Sequence, residues 1–452
     1  MVLVNRELAP VSRSTSSIRT SLCQIFLFSL AVGGVLGREP IAAVEPVSAV
    51  PGFVIEPESS GLRHPTQVVF APDGRLFVSQ LSGEILAFEY GWDGVRGTRR
   101  IVASGVGSTL LGIGFDSHGQ LFASSNTGAN DTGFLARLLD IDGDGFYETE
   151  NRFVTGLPNA GHHNDQLAFD GNLLYVGMGS RNDDGMDDEV TPIPAATLLR
   201  IDLNTVDFTH SDVLPEVYAR GLRNPFGIAL DAKGRIWVGD NGRDSPLLPD
   251  EFHLIVPGAH HGFPDELAPS NAVRPILFLG MGTSADGLDF YPGSGWWGPQ
   301  FAGNAFLARF DYELNDPTRE GMDVVRIVIV EVESAFPKAQ YSVFARGFVH
   351  PLDVQSDPFG NLVIMEYGEF GGVASGALYR MTLQVEQGDA DRDSDIDLGD
   401  YRQLAECLGS PATAPGLVSF SAACLQTFDF DVSDHIDLAD FASFQVAIGP
   451  KP

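Results

Sequence analysis

Residues 219–264 read ARGLRNPFGIALDAKGRIWVGDNGRDSPLLPDEFHLIVPGAHHGFP. The centre of this stretch holds one compact unit: an apolar run, NPFGIALD (224–231), a turn around Gly234, and a second β-prone run, RIWV (235–238). Two short apolar runs flanking a glycine turn are the pattern of an antiparallel hairpin. Arg223 and Asn224 precede the first run and the acidic turn DNGR (240–243) follows the second, so polar groups collect at one end of the hairpin.

The same unit recurs along the chain. A turn glycine, one polar residue and an apolar triplet appear in DGRLFV (73–78), HGQLFA (118–123), DGNLLYV (170–176), KGRIWV (233–238) and FGNLVI (359–364). Apolar strands precede several of them, as in HPTQVVF (64–70), LLGIGFD (110–116) and HPLDVQSD (350–357). The gap between Gly234 and Gly360 is twice that between Gly171 and Gly234, which hides one unit, and NAFLARF (304–310) supplies a strand near its midpoint. Short paired strands repeating every 45–65 residues or so predict an all-β fold, a six-bladed β-propeller. Irregular β-domains without ring closure are the alternative.

The 452 residues carry 28 Lys+Arg against 60 Asp+Glu, a formal net charge of −32. Such a field repels phosphate backbones, so nucleic acid is not expected as a partner. Arg6, Arg13 and Arg19 lead into an apolar run from Leu22 to Leu36, followed by small residues at Gly37, Ala42 and Ala43. That order reads as a secretory signal within residues 1–43, and the run is shorter than the ~20 residues of a membrane-spanning helix. The expected location is secreted, periplasmic or cell-surface, with no membrane span after signal removal. Cys23 leaves with the signal, and Cys407 and Cys424 form a pair better suited to a disulfide than to a metal.

From Gly388 the chain changes character. GDADRDSDIDLGDYRQLAECLG and, after a spacer, FDFDVSDHIDLADFASFQVAIG are two copies of an Asp-rich loop followed by a helical pattern. Calcium favours oxygen ligands at loop positions 1, 3, 5, 9 and 12. The first copy places Asp389, Asp391, Asp393, Asp397 and Asp400 there, and the second Asp429, Asp431, Ser433, Asp437 and Asp440. A third loop, DIDGDGFYETEN (140–151), aligns Asp140, Asp142 and Asp144, with Glu148 at position 9 and Asn151 in place of the closing carboxylate. Solvated acidic turns are the competing reading of all three. The doubled loop resembles the EF-hand-type calcium repeats of type I dockerins, a small α-helical module. This divides the chain into a propeller at 50–385 and a module at 386–450, and implies a cohesin-like or cell-surface protein partner.

GHHNDQLAF (161–169), taken with the quoted stretch, resembles the glucose/sorbosone dehydrogenase family, soluble propellers that hold pyrroloquinoline quinone (PQQ) beside calcium. The likeness spans roughly residues 52–383. It implies PQQ-dependent oxidation of a small-molecule sugar or polyol. By that likeness His162 is the catalytic base, five residues before Leu167, with His163 the fallback one residue away. Arg223 and Asn224 match the family's pair at the quinone oxygen, where a cation stabilises developing negative charge. Asn241 would touch PQQ, the backbone carbonyls of Gly242 and Arg243 would hold calcium, and Glu251 would serve a second, structural calcium near His261. Arg309 is the nearest counterpart of the cofactor lysine.

The chain also departs from the pattern. His350 and Leu352 stand where the last blade offers arginines to the PQQ carboxylates, and Ser180 stands where an acid is expected. A catalytically silent propeller that binds carbohydrate or protein is the rival function, and a purely architectural domain is a third. Arg223 pairing with an acidic loop is the structural alternative for that residue, and burial that for Trp296 and Trp297, which otherwise suit stacking on a sugar ring. GSGWWG (293–298) is a turn and not a dinucleotide loop, because Pro299 follows where a helix would start.

Overall fold

The computed structural model describes residues 45–448, apart from 187, 190–191, 265–267, 294–296, 312–319, 334–335, 372–373, 385–386, 391–395, 409–423, 426, 432 and 434. Residues 1–43, where a secretory signal is expected, and Asp391, Asp393 and Trp296 lie outside the described residues.

Six antiparallel sheets form a ring, a six-bladed β-propeller. Their innermost strands are Pro65–Phe70, Thr109–Phe115, Asn164–Asp170, Pro225–Leu230, Ala285–Phe290 and Pro351–Ser356, each beside the next, and the last returns to the first. Blade 1 runs outward through Leu76–Gln80, Glu84–Gly91 and Gly94–Ala103, and blades 2–4 follow the same order. The second strands are buried at nearly every position, Ile236–Asp240 and Leu362–Glu366 at all of them. Neighbouring blades cover both faces, which is why these strands read as unbroken apolar runs and not as alternation.

The recurrent turn has a physical basis. In blades 2, 4 and 6 one aspartate oxygen accepts two backbone N–H groups, Asp116 from His118 and Gln120, Asp231 from Lys233 and Arg235, Asp357 from Phe359 and Asn361. The glycine that follows, at 119, 234 and 360, holds a left-handed φ of 71–82°. Blade 5 lacks this turn, because a long loop joins Ala285–Phe290 to Ala305–Arg309. Trp297 fills that loop, fully buried, its ring stacked 4.7 Å from Tyr291 and set edge-on 4.8 Å from Phe53. Of the two readings for Trp297, burial is the one observed.

The chain closes the ring on itself. Phe53–Leu62 pairs with Gly376–Leu383 as the outer strand of blade 6, and Val47–Ser48 pairs with the edge of blade 5 at Ala345 and Arg346. Beyond Leu383, helices α1 (Leu398–Cys407) and α2 (Leu438–Ala447) carry capping boxes at Asp397/Asp400 and Asp437/Asp440. Cys407 and Cys424 are bonded and share a small core with Leu404, Phe428 and Phe444, against which Trp92 of blade 1 packs. No helix among the described residues is long and apolar enough to cross a membrane.

At the ring axis Asp353 of blade 6 accepts the Val68 N–H of blade 1 at 2.9 Å. Burial pushes its carboxyl up to about 8 and that of Glu366, in the same blade, up to about 7. A carboxyl whose folded pKa is raised stabilises the fold fully below its unfolded pKa near 4, and loses that contribution as pH rises through the folded value. Calorimetry should therefore show a lower melting temperature at pH 9 than at pH 5, and Asp353→Asn should flatten part of that slope.

Candidate functional site

The loops entering the inner strands of blades 3 and 4 lie side by side on one end of the ring. The His162 N–H donates to Ser180 O at 2.9 Å, the Gly179 N–H to His163 O at 2.9 Å, and the Ser180 N–H to Arg223 O at 2.6 Å. This ladder sets His162 and Asn224 on either side of Gly179. A Cβ at 179 would lie 2.2 Å from the His162 Cβ and 2.7 Å from Asn224 Oδ1, so only glycine lets the two approach.

Asp240, at the end of a second strand, fixes the neighbouring pair. Its carboxylate accepts the Asn224 N–H at 2.7 Å and the Arg223 N–H at 3.0 Å. Asn224 Nδ2 donates to Asn241 Oδ1 at 3.1 Å, and Asn241 Nδ2 reaches Ala285 O of blade 5 at 2.9 Å. His162, Arg223, Asn224 and Asn241 are thus brought together and are all buried.

Arg223 is held by two acids that the sequence pattern did not mark. Its Nε meets Asp183 Oδ1 at 3.0 Å, its Nη2 meets Asp244 Oδ2 at 2.8 Å, and Nη1 donates to Asn241 O at 3.3 Å. Asp183 also accepts the N–H groups of Asp244 and Ser245. These contacts cross blades and follow no fixed spacing, so no sequence signal announces them. Burial foremost, then the Arg223 charge and His163, holds His162 well below the usual imidazole range, and burial lowers His163 to about 4. His162 is therefore a neutral imidazole at physiological pH, the form that accepts a proton.

A cavity of about 30 Å³ opens beside Arg223, bordered by Asp240, Gly242, Arg243, Glu251 and His261. That volume admits an object the size of a water or an ion. The two cation positions expected at Gly242/Arg243 and at Glu251 therefore border one space. Ligand atoms of Asp240, Glu251 and His253 lie within 4.8 Å of one another. Burial pushes the Asp240 carboxyl up to about 7, with His253 lowering it and Glu251 raising it; a cation in the cavity would favour its ionised form.

Arg309 is not brought to this group. It lies wholly buried in blade 5, its Nε and Nη2 each 2.7 Å from an oxygen of Asp323, with Nη1 donating to Leu279 O and to Glu320. An internal ion pair occupies its guanidinium, which corrects the cofactor role expected for it. On the last blade His350 contacts Phe310 and Phe370 with centroids at 4.9 and 4.7 Å, an aromatic cluster that Tyr367 joins.

A family model described as Glucose / Sorbosone dehydrogenase matches residues 62–311, more than half of the chain. The chain belongs to the glucose/sorbosone dehydrogenase family. No curated protein matches it. Among solved structures it is similar to the holo PQQ domain of a pyranose dehydrogenase from Coprinopsis cinerea, with 16% identity, TM-score 0.62, and 75% of this chain and 97% of that one covered. A PQQ-bound aldose sugar dehydrogenase from Streptomyces coelicolor gives 19%, 0.55, 74% and 100%. A calcium structure of a family AA12 enzyme from Trichoderma reesei gives 17%, 0.59, 75% and 97%. At these identities the likeness is one of fold.

Tested against PQQ and calcium, this family member fits at one end. Asn224, Asn241 and His162 converge with the Arg223 charge behind them; the adjoining cavity offers a cation the carboxylates of Asp240 and Glu251, but Arg223, Arg243 and Arg274 line it as well. The end where arginines would meet PQQ carboxylates is aromatic instead.

Three acidic loops lie elsewhere. Asp140, Asp142, Asp144 and Glu148 bring ligand atoms within 4.8 Å of one another between the outer strands of blade 2, and so do Asp429, Asp431 and Asp440. Asp400 and Asp440 play matching parts, accepting the N–H groups of Ala390 and Asp397, and of Phe430 and Asp437. Asp389, buried, belongs to the first copy.

Because Gly179 spaces His162 from Asn224, Gly179→Ala should cost about 2 kcal/mol of overpacking and shift the His162 ring resonances, as denaturant titration and NMR would show.

Proposed function

We propose that the protein is an exported, PQQ-dependent oxidoreductase of a sugar, polyol or aldose-type aldehyde. The observation that carries this reading is the convergence of a neutral, buried His162 with Arg223, Asn224 and Asn241 beside an ion-sized cavity that Asp240 and Glu251 border. Asn224 and Asn241 would hold the cofactor, and Gly242, Arg243, Asp240 and Glu251 border the place for calcium. PQQ, when bound, supplies the hydride acceptor. His162 takes the hydroxyl proton of the substrate, and burial keeps it unprotonated for that purpose. Arg223, itself fixed by Asp183 and Asp244, contributes positive charge toward the oxygen where negative charge develops, at no reorganisation cost because it is already anchored.

Two observations support the rival, a catalytically silent propeller: Arg223 already has two carboxylate partners, and the last blade is aromatic where cations would meet the cofactor. Adding PQQ and calcium to purified protein and following quinone absorbance and dye reduction over a sugar panel separates them. The enzyme reading expects both signals; the rival expects neither. His162→Ala and Arg223→Ala should each lower turnover by about 100-fold, with His163→Ala milder. Since the His162 pKa is depressed, the acid limb that this base gives kcat/KM should lie well below the usual imidazole value, and an acid limb near 6.5 would remove His162 from the role.

For the C-terminal region we propose a dockerin-like calcium module that docks a cohesin-like or cell-surface partner. Carboxylates crowded at Asp389–Asp400 and Asp429–Asp440 repel one another without a cation. Chelation should make residues 386–450 protease-sensitive while the propeller stays intact; unchanged cleavage would remove calcium from these loops.

A further inference from the structure

Blade 5 reaches the site through Ser284 and Asp286, neither of which any expected role uses. Ser284 precedes the inner strand Ala285–Phe290 as Asn224 precedes that of blade 4 and His163 that of blade 3. Its φ is 52°, a conformation that glycine adopts freely and serine does not. Such strain persists only where the surroundings hold it, and it clusters at functional sites. The Ser284 hydroxyl lies 3.2 Å from Asn241 Oδ1 and 3.2 Å from Asp286 Oδ2, and Asp286 is 3% exposed.

Counting donors fixes the direction of these bonds. The Ala285 carbonyl can only accept, so Asn241 Nδ2 faces it at 2.9 Å and Oδ1 is turned the other way. That oxygen accepts from Asn224 Nδ2 at 3.1 Å and from Ser284. Nδ2 also lies 3.4 Å from Asp286 Oδ1, so both hydrogens and both lone pairs of the Asn241 amide are taken. Whatever Asn241 contributes to holding a cofactor, it contributes through Asn224. Ser284 has one proton, and Asn241 receives it only when Asp286 keeps a proton of its own and gives it to Ser284. Burial foremost, with Asp250 and Asp353 adding to it and the bonds from Asn241 and Ser284 opposing, holds that carboxyl well above the usual range. Asn224, its Nδ2 turned to Asn241, keeps its Oδ1 on the side of Gly179 and His162. We infer that Ser284 and Asp286 are positioning residues for the oxidation, fixing through Asn241 which end of the Asn224 amide faces His162. This rests on the oxidoreductase reading. The two ends of an amide are nearly equal in shape, so a flip would exchange donor for acceptor beside the base without a clash. The row from Asp286 to Asn224 removes that choice before a ligand enters.

The test combines spectra with kinetics on the full chain. Carbon-13 carboxyl spectra of the wild type should show Asp286 as a neutral acid at pH 7, a readout that needs no variant. Ser284→Gly relaxes the backbone, so its melting temperature should hold or rise while the side-chain amide resonances of Asn224 split or broaden. A serine with a purely structural part would lower the melting temperature and leave those resonances unmoved. With PQQ, calcium and a sugar that the wild type oxidises, Ser284→Gly should lower kcat by about 10-fold or more with KM little changed. Asp286→Ala should act likewise, and Asp286→Asn, whose amide still donates to Ser284, should recover most of the loss. An ionised Asp286, unmoved Asn224 resonances in Ser284→Gly, or unaltered turnover in that variant overturns this inference alone. A wild type that neither binds PQQ nor oxidises any sugar overturns it together with the oxidoreductase reading.

Discussion

The carboxylate of Asp240 is the point on which the site turns. One oxygen holds the backbone N–H of Asn224, the other that of Arg223, and ligand atoms of Glu251 and His253 lie within 4.8 Å of the same group. A single buried side chain thus fixes the backbone of both Arg223 and Asn224 and borders the cavity beside them. Burial resists its ionisation, and a cation would relieve that resistance. Geometry of the pair and occupancy of the cavity are for this reason linked through one group.

Around this point the site is built from loop backbone more than from side chains. Residues 162–163, 179–180 and 223–224 exchange N–H···O bonds across blades 3 and 4, and the strands behind them are packed tightly enough that loop position follows from the ring. Rigid strands with functional loops at one end are a common arrangement for binding sites. Here the price is a set of buried acids along the axis, among them Asp165, Asp286 and Asp353, each raised in pKa chiefly by burial.

Much of the ring was legible because its cause is local. The turn glycines and the doubly covered second strands leave marks within a few residues, and five blades announced themselves that way. Blade 5 was found only by spacing, since its hairpin depends on Trp297 packing and not on a turn glycine. Of the expected site residues, His162, Arg223, Asn224 and Asn241 do converge, because they follow or precede recognisable strands. The failure at Arg309 is instructive: a cation at a plausible place was taken for a ligand, while Asp323, its partner on the adjacent strand, could be known only from the register. Asp183 and Asp244 were missed because their contacts with Arg223 join separate loops at no fixed spacing.

The N-terminal segment has a further consequence. Residues 47–62 bind two adjacent blades, and the partner of Phe53 is Leu383 at the far end of the propeller. Synthesis proceeds from the N-terminus, so Phe53–Leu62 waits, as an open strand edge, until nearly the whole ring has emerged. Contacts of such sequence separation form slowly, and an unpaired edge invites pairing with other chains. Ser59, Ser60 and the two glutamates at 56 and 58 keep that waiting strand polar, which disfavours aggregation during the interval in which its partner does not yet exist.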